Sequence, residues 1–485
     1  MSATSTATTN ATADPRRWTA LMLLALADFV VVLDATIMNI ALPSVGRALH
    51  ASTSELSWVI TAYILAFGGL LMLGGKLADL YGRRRLFIGG LVLFGVASLF
   101  GGLSTSIEQL ILFRALQGAG AAALAPAARS FVTVLFEEGP ERSKALGIWA
   151  AVAGSGSVVG LILGGVLTSA FGWEWVLFIN VPITLGAAAL APKLLSESRA
   201  DSDSRSVDVG GAILSTSALV AALYALVNAN DAGWGSLQTL GLLGAAALLL
   251  ILFVRVESRA VSPLVPLSIF RLPQVRGANI AMVLMAAAMV GMFFILALYQ
   301  QQLQGYSALE SGVSQLPLGL VLITVAGLAG PFTERVGPRR VLVTGTALVA
   351  LGVAWLSRLP LQGSYLGDIL GPSLVIAIGL GLAFVALTIA STAGVHPEHA
   401  GIAGGLINMT QQVGGALGLA VITAVATSGL HGATHGAASV DSGFRAALIV
   451  AAGIAAAASV LGGLVLAGQK RPTPAVQAAV TESAC

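Results

Sequence analysis

Long apolar runs alternate with short polar breaks along the whole chain. A helix rises 1.5 Å per residue, so about 20 apolar residues cross a hydrocarbon core of roughly 30 Å. Runs of that length lie near 18–42, 56–76, 85–103, 107–127, 145–170 and 175–195. Two more lie near 208–228 and 237–256, and a last set near 276–299, 312–333, 339–356, 366–395, 400–427 and 445–467. They predict fourteen transmembrane helices in an all-α polytopic membrane protein. The charged breaks 196–207 and 257–275 read as cytoplasmic linkers. They group the runs as a six-helix bundle over 18–195, two inserted helices over 208–256 and a second six-helix bundle over 276–467. Segment 1–17 is a low-complexity polar stretch of the kind that stays disordered, and 468–485 is a polar tail.

Hydrophobic residues make up 56% of the chain and charged residues 10%, which excludes a soluble domain of 485 residues. The net charge of +3 says little, whereas the placement of charge says more. With the N-terminus in the cytoplasm, the 25 lysines and arginines all fall in inside segments except Arg47, Arg358 and Arg445 outside and Arg114 within a span. Such a bias predicts both termini cytoplasmic and a multi-pass chain in the inner membrane of the cell. No small-residue cleavage site follows the first run, so it reads as a retained span and not as a secretory signal. A single cysteine, Cys485, excludes an intramolecular disulfide.

Three charges fall well inside the spans of the first bundle. An ionised side chain at mid-membrane costs at least about 2.5–3.5 kcal/mol, so it is seldom placed there without a use. The first run, WTALMLLALADFVVVLDATIMNIALP, carries Asp28 near mid-depth and Asp34 in the outer half. A carboxylate whose ionised form is costly can hold a proton or be relieved by a substrate cation. That makes Asp34 and Asp28 candidate proton-coupling groups and Asp34 a candidate substrate contact; a packing role, with the carboxylate satisfied by backbone or arginine, is the alternative. The two are about 9 Å apart along the helix and roughly 120° apart around it, so they face different ways. Arg114 in the fourth run needs an anion, and Asp28 and Asp34 are the carboxylates in reach; a purely structural ion pair is the competing reading. Gln117, one turn on, is a candidate substrate contact or an interhelical hydrogen-bonding group.

Segments 75–85, GKLADLYGRRR, and 330–340, GPFTERVGPRR, share glycine at the first and eighth places, an acid at the fifth and arginine at the tenth and eleventh. They mark an internal repeat about 255 residues apart, and the excess over the roughly 200 residues of a six-helix half matches the inserted pair. Gly154, Gly156, Gly160, Gly164 and Gly165 recur at roughly helical spacing, which permits close approach of two backbones. The ninth run carries Met282, Met285, Met289 and Met292 on one side, then Phe293, Phe294 and Tyr299. Soft and aromatic side chains suit an adaptable pocket for lipophilic cations, and ordinary core or lipid-facing packing explains them equally well. Met285, Met289, Met292, Phe293 and Tyr299 are candidate substrate contacts, joined by Asn408 and Gln411, beside Gln412, in the thirteenth run. Gln300, Gln301, Gln302 and Gln304 read as a solvated turn at the outer mouth.

At these residues the chain resembles the major facilitator superfamily, and within it the fourteen-span drug:proton antiporters. LDATIMNIALP at 33–43 resembles that family's first-helix signature, and GGKLADLYGRRR at 74–85 the superfamily's loop motif between spans two and three. LILFRALQGAGAA at 110–122 is similar to the fourth-helix motif, with Arg114 and Gln117, and GWEWVLFINVP at 172–182 to the start of span six. The resemblance implies the major facilitator fold and multidrug or antibiotic efflux by alternating access, and it assigns Arg114 to proton transfer. It makes Gly75, Asp79, Gly82 and Arg83 a gating latch on the inner side, with Glu334, Arg339 and Arg340 as the weaker copy; a basic cluster that merely sets topology is the alternative. It places Gly160, Gly164 and Gly165 in a seal against uncoupled leakage. Two departures stand out. The family's fifth-helix motif has proline after Gly160, where this chain has Leu161, and many relatives carry an uncharged residue in place of Asp28.

An enzyme needs a clustered nucleophile, base or metal site, and the sequence assembles none. His50, His396, His399, His431 and His435 all fall in loops, and the helical spacing of His431 and His435 lacks a third ligand. No GxxxxGK(S/T) loop is present for ATP, and no repeated pore loop for a channel. The expectation is a drug:proton antiporter, not an enzyme, with no metal, no cofactor and the proton gradient as energy source. Its expected partners are a small-molecule substrate, protons and the lipid bilayer, without nucleic acid, and it is expected to act as a monomer. A metabolite or nutrient carrier of the same fold, or a non-transporting membrane sensor or scaffold, is the alternative.

Overall fold

The computed structural model of the chain describes residues 16–136, 140–198, 209–260, 263, 267–360, 363–395, 400–428 and 437–465. The described residues form helices and no strand, as the apolar runs predict. The first helix, α1 (Arg17–Leu49), does not stop before Pro43 but runs through it and closes at His50, which is left-handed at φ 53°. A proline removes one N–H, so the bond forgone is the one to the Asn39 carbonyl, and packing on both sides carries the helix on. A capping box opens α2 (Thr53–Tyr81): Glu55 N–H donates to Ser52 Oγ at 3.3 Å and Ser52 N–H to Glu55 Oε2 at 2.7 Å. Then follow α3 (Arg83–Gly102), α4 (Ile107–Leu135) and α5 (Pro140–Ala170). The sixth run is two pieces, α6 (Trp175–Phe178) and α7 (Asn180–Leu194), broken at Ile179.

The inserted pair is α8 (Val209–Ala232) and α9 (Leu237–Glu257). In the later part, α10 (Pro273–Leu298) runs on into a π-helical turn, Tyr299–Leu303. The tenth run is again two pieces, α11 (Ala308–Ser314) and α12 (Leu316–Val336). The remainder is α13 (Pro338–Leu356), a π-helical turn at Tyr365–Ile369, α14 (Leu370–Thr392), α15 (Ala400–Ser428) and α16 (Ala437–Val465). Among the described residues twelve helices are long and apolar enough to cross a membrane. Two shorter apolar stretches, Ser155–Ala170 and Ile213–Leu226, stand where the fifth and seventh runs were expected.

The end of the molecule where α1 begins and α2 meets α3 is here the basic end, and the opposite one the far end. Early helices pack on one another, α1 with α5, α2 with α4, and α3 with α4 and α7. Late helices do likewise, α10 with α15 and α16, α13 with α14 and α16, and α12 with α14. The two groups meet through α2 on α15 and α5 on α11, and α8 lies against both α2 and α15. The repeat seen in the sequence is a repeat of backbone. Gly82 joins α2 to α3 at φ 107°, ψ 132°, and Gly337 joins α12 to α13 at φ 97°, ψ 139°, a region that only glycine enters freely. The helices that follow cross in the same way: a Cβ on Gly90 would sit 2.8 Å from the Gly120 carbonyl oxygen, and one on Gly345 2.8 Å from that of Gly379.

Candidate functional site

One buried polar network occupies the early helices. Asp34 of α1 is 0% exposed and Arg114 of α4 is 1% exposed, so neither is solvated by bulk water. They meet as an ion pair through Arg114 Nη1 and Asp34 Oδ2. Desolvating both charges costs several kcal/mol per ion, roughly, and is offset only where the remaining donors and lone pairs are also used. Here they are. Gln117 lies on the same face of α4, its Nε2 donating to Asp34 Oδ1 at 3.2 Å and to Ser98 Oγ of α3 at 2.6 Å while its Oε1 accepts from Arg114 Nη1 at 2.9 Å. Asn180, the first residue of α7, donates from Nδ2 to Asp34 Oδ1 at 2.7 Å. Arg114 Nε donates to the Val59 carbonyl of α2 at 3.2 Å, and its guanidinium lies 4.3 Å from the centre of the Tyr63 ring. Five helices thus converge on one carboxylate.

A sixth presses on the same turn of α1. A Cβ on Gly156 would lie 2.7 Å from the Phe29 carbonyl oxygen, one on Gly160 3.0 Å from Thr36 Cβ and 3.2 Å from the Leu33 oxygen, and one on Gly164 3.1 Å from the Ile37 oxygen. Side chains there would push α5 off the segment that carries Asp34. Gly165 faces the late helices, where a Cβ would meet Leu309 Cα at 2.5 Å, and the Leu161 carbonyl is similarly close to Gly312.

The other predicted residues lie apart from this network. Asp28 is half-buried on α1, and Arg114 pairs with Asp34 instead of with it. Met285 and Met292 are buried core residues, while Met289 and Phe293 are half-buried and packed against that core. Tyr299 is buried, with its hydroxyl donating to the Pro360 carbonyl. Asn408 and Gln411 are half-buried on α15.

At the basic end, Gly75 faces Pro126 at ordinary contact distance, and Gly82 makes the turn. Arg83 donates from its backbone to the Ser198 carbonyl at 3.0 Å and from Nη1 to Ser198 Oγ at 3.3 Å. In the second copy, Arg339 Nε donates to the Gly463 carbonyl of α16 at 2.9 Å, and Arg340 is exposed. The side chains of Asp79, Gly154 and Glu334, and His396, His399, His431 and His435, lie outside the described residues. Among the described residues no group of histidine, cysteine and carboxylate side chains could hold a metal.

The glutamines after α10 correct the solvated-turn expectation. Gln300 is 0% exposed; its Nε2 donates to Ser314 Oγ at 2.8 Å and its Oε1 accepts from Ser311 Oγ at 2.8 Å. Gln301 Nε2 donates to the Ile40 carbonyl at 2.9 Å, joining late helices to α1 at the far end, and Gln304 Nε2 donates to the Gly363 carbonyl at 2.8 Å. The widened register of the π-helical turn brings Gln300 and Gln301 inward together, while Gln302 stays exposed as the solvated-turn expectation had it.

Sequence reasoning passed over Asn180, Ser98 and Glu197. The signal for Asn180 was a lone amide in an apolar run. Glu197 sits in the first linker, and its Oε1 accepts from the Arg84 backbone N–H at 3.1 Å at the start of α3, where a helix N-terminus favours an anion.

The Major Facilitator Superfamily profile matches residues 24–419. The chain is 44% identical to the cephamycin export protein CmcT of Amycolatopsis lactamdurans over 85% of its own length and 86% of that protein's. It is 41% identical to the puromycin resistance protein pur8 of Streptomyces alboniger, over 92% and 91%. It is 38% identical to the tetracenomycin C resistance and export protein of Streptomyces glaucescens, over 84% and 75%. In fold it is similar to a bacterial homologue of the human lysosomal transporter Spinster, at a TM-score of 0.70 and 16% identity over 95% of this chain and 99% of that one. It is likewise similar to the POT family transporter PepTSo, at 0.69 and 16% over 92% and 97%.

Proposed function

The chain belongs to the major facilitator superfamily, and on that premise we propose that it is a proton-coupled exporter that moves antibiotic-type small molecules out of the cell by alternating access. The observation that carries this reading is the fully buried Asp34–Arg114 pair with its amide shell. Relatives named for export of cephamycin and tetracenomycin C and for resistance to puromycin support a drug as cargo. The two groups of helices act as two six-helix bundles, 18–195 and 276–467, which rock about the substrate path with 208–256 as an inserted pair. Fourteen spans and the basic bias put both termini in the cytoplasm, so the basic end faces in and the far end out.

The Asp34 carboxylate is the proton carrier. Ionised, it is held by Arg114, Gln117 and Asn180; protonated, it releases the guanidinium, which keeps Gln117 Oε1, the Val59 carbonyl and the Tyr63 ring. Protonation from outside loosens α1 against α4, and deprotonation on the inside restores the pair and readies the chain for the next substrate. Moving one proton across 100 mV supplies about 2.3 kcal/mol, which sustains a gradient of roughly fiftyfold. Asp28, Met289, Phe293, Asn408 and Gln411, all half-buried, face the substrate. The chain works as a monomer without a cofactor.

Liposomes holding an internal pH dye test this. With a proton gradient imposed, a panel of lipophilic cations and neutral antibiotics triggers proton movement in wild type and not in Asp34→Asn. Absence of proton movement with every compound while binding persists would replace antiport by the metabolite-carrier or sensor reading.

A further inference from the structure

A carboxylate that carries a proton is accommodated in two forms. Ionised, it only accepts hydrogen bonds; protonated, it also donates one. The groups around Asp34 differ in which form they can serve. Arg114 has no acceptor, so it serves the ionised form. Gln117 is locked: its Oε1 faces Arg114 Nη1 at 2.9 Å, and turning the amide over would set its NH2 against the guanidinium, donor against donor. The Tyr63 hydroxyl points to the Val31 carbonyl, 3.5 Å away. Asn180 is different. Its Nδ2 donates to Asp34 Oδ1 at 2.7 Å, while its Oδ1 is buried with no hydrogen-bond partner. An orphaned amide oxygen in a 0% exposed side chain is a costly arrangement, and it calls for an explanation.

We propose that Asn180 is the positioning residue for the protonated form of Asp34. The proton adds to an Asp34 carboxylate oxygen, the Asn180 amide turns over, and Oδ1 accepts the new O–H at the place where Nδ2 had donated. When the proton leaves, the amide turns back. The two ends of an amide are nearly the same size, so the reversal needs no repacking. The charged and titratable groups acting on this pocket are Arg114 from α4, Tyr63 from α2 and, six residues back on α1, Asp28; α5 brings glycines and α3 brings Ser98. The inference rests on Asp34 being the proton carrier.

Infrared difference spectra of the full chain in lipid, taken between high and low pH, separate the two ideas. The carbonyl stretch of protonated Asp34 is identified by its loss in Asp34→Asn. A hydrogen bond to an amide oxygen lowers that stretch, so Asn180→Leu shifts it upward. Asn180→Thr, whose hydroxyl accepts or donates by simple rotation, keeps it near the wild-type position. Asn180→Val replaces the leucine variant if that one does not fold. A band unmoved in the apolar variant overturns the role of the amide and leaves Asp34 as carrier. No Asp34 band in wild type at any pH overturns the carrier, and this inference with it.

Discussion

The early helices α1–α7 and the late helices α10–α16 repeat a backbone and not a chemistry. Gly82 and Gly337 make the same turn, and the glycine pairs 90/120 and 345/379 make the same helix crossing. Yet α4 carries Arg114 and Gln117 into the core, where α14 buries Ile376, Ala377, Leu380 and Ala383. Among the described residues of the late helices, buried polar contacts are made by amides and hydroxyls where the early helices use the Asp34–Arg114 pair: Thr410 Oγ1 donates to Asn279 Oδ1 at 3.0 Å, and Gln300 to Ser314 at 2.8 Å. Among the described residues, buried Asp441 pairs at 2.8 Å with Arg445, whose side chain is 42% exposed, so this pair is not sealed from water as Asp34–Arg114 is. Close backbone approach is enforced by the missing Cβ alone, so the crossing can persist while the facing side chains diverge. In the exporter proposed above, one half then carries the proton while the other contributes pocket wall and gate.

The largest way to break this comparison is to strand a charge. Arg114→Met leaves Asp34 fully buried and unpaired, which should cost about 3–5 kcal/mol, whereas Arg445→Gln withdraws a partly solvated cation from Asp441 and should cost less. Unfolding in detergent measures both, and the double variant Asp34→Leu/Arg114→Met should be more stable than either single one. Next comes overpacking. Gly160→Val meets Thr36 and should cost about 1–3 kcal/mol and abolish export, while Gly319→Val, where a Cβ finds its nearest neighbours at 3.6 Å or more, should retain export. Third, Gly82→Ala and Gly337→Ala share the same backbone strain. A Cβ at Gly82 also lies 2.5 Å from Glu197 Oε1, while one at Gly337 meets open space, so the first should be worse by about 1 kcal/mol. The smallest effect is at the seam. Gln301→Leu removes one hydrogen bond to Ile40, about 1 kcal/mol, and should shift the balance several-fold toward opening at the far end. Labelling of a reporter cysteine there, in a Cys485→Ser background, reads the shift.

Much of this was legible in the chain. The apolar runs gave the helical class, and Asp34 and Arg114 could be paired because charges in a membrane need partners. The repeat at 75–85 and 330–340 was visible because the turn needs glycine at one position. What stayed hidden depends on local geometry that hydropathy does not report. Pro43 reads as a stop, but α1 runs through it. The breaks at Ile179 and Gln315 fall inside runs that hydropathy joins into single spans, each a few residues before a proline, Pro182 and Pro317. The glutamines look like a loop until a π-helical turn sends Gln300 and Gln301 inward, and Asn180 is one polar letter whose meaning comes from the carboxylate opposite.

The α8–α9 hairpin starts and finishes at the basic end. An inserted pair of this kind leaves the direction of every later helix unchanged, whereas a single inserted helix would turn the whole second half over. The hairpin therefore lengthens the chain without turning either half over. Its α8 strand of contacts, with Thr216 Oγ1 donating to the Gly69 carbonyl at 3.2 Å, lets it lie like a splint along the seam. Its α9 turns Leu237, Leu240, Leu248 and Ile251 outward, a greased edge facing away from the machinery beside it.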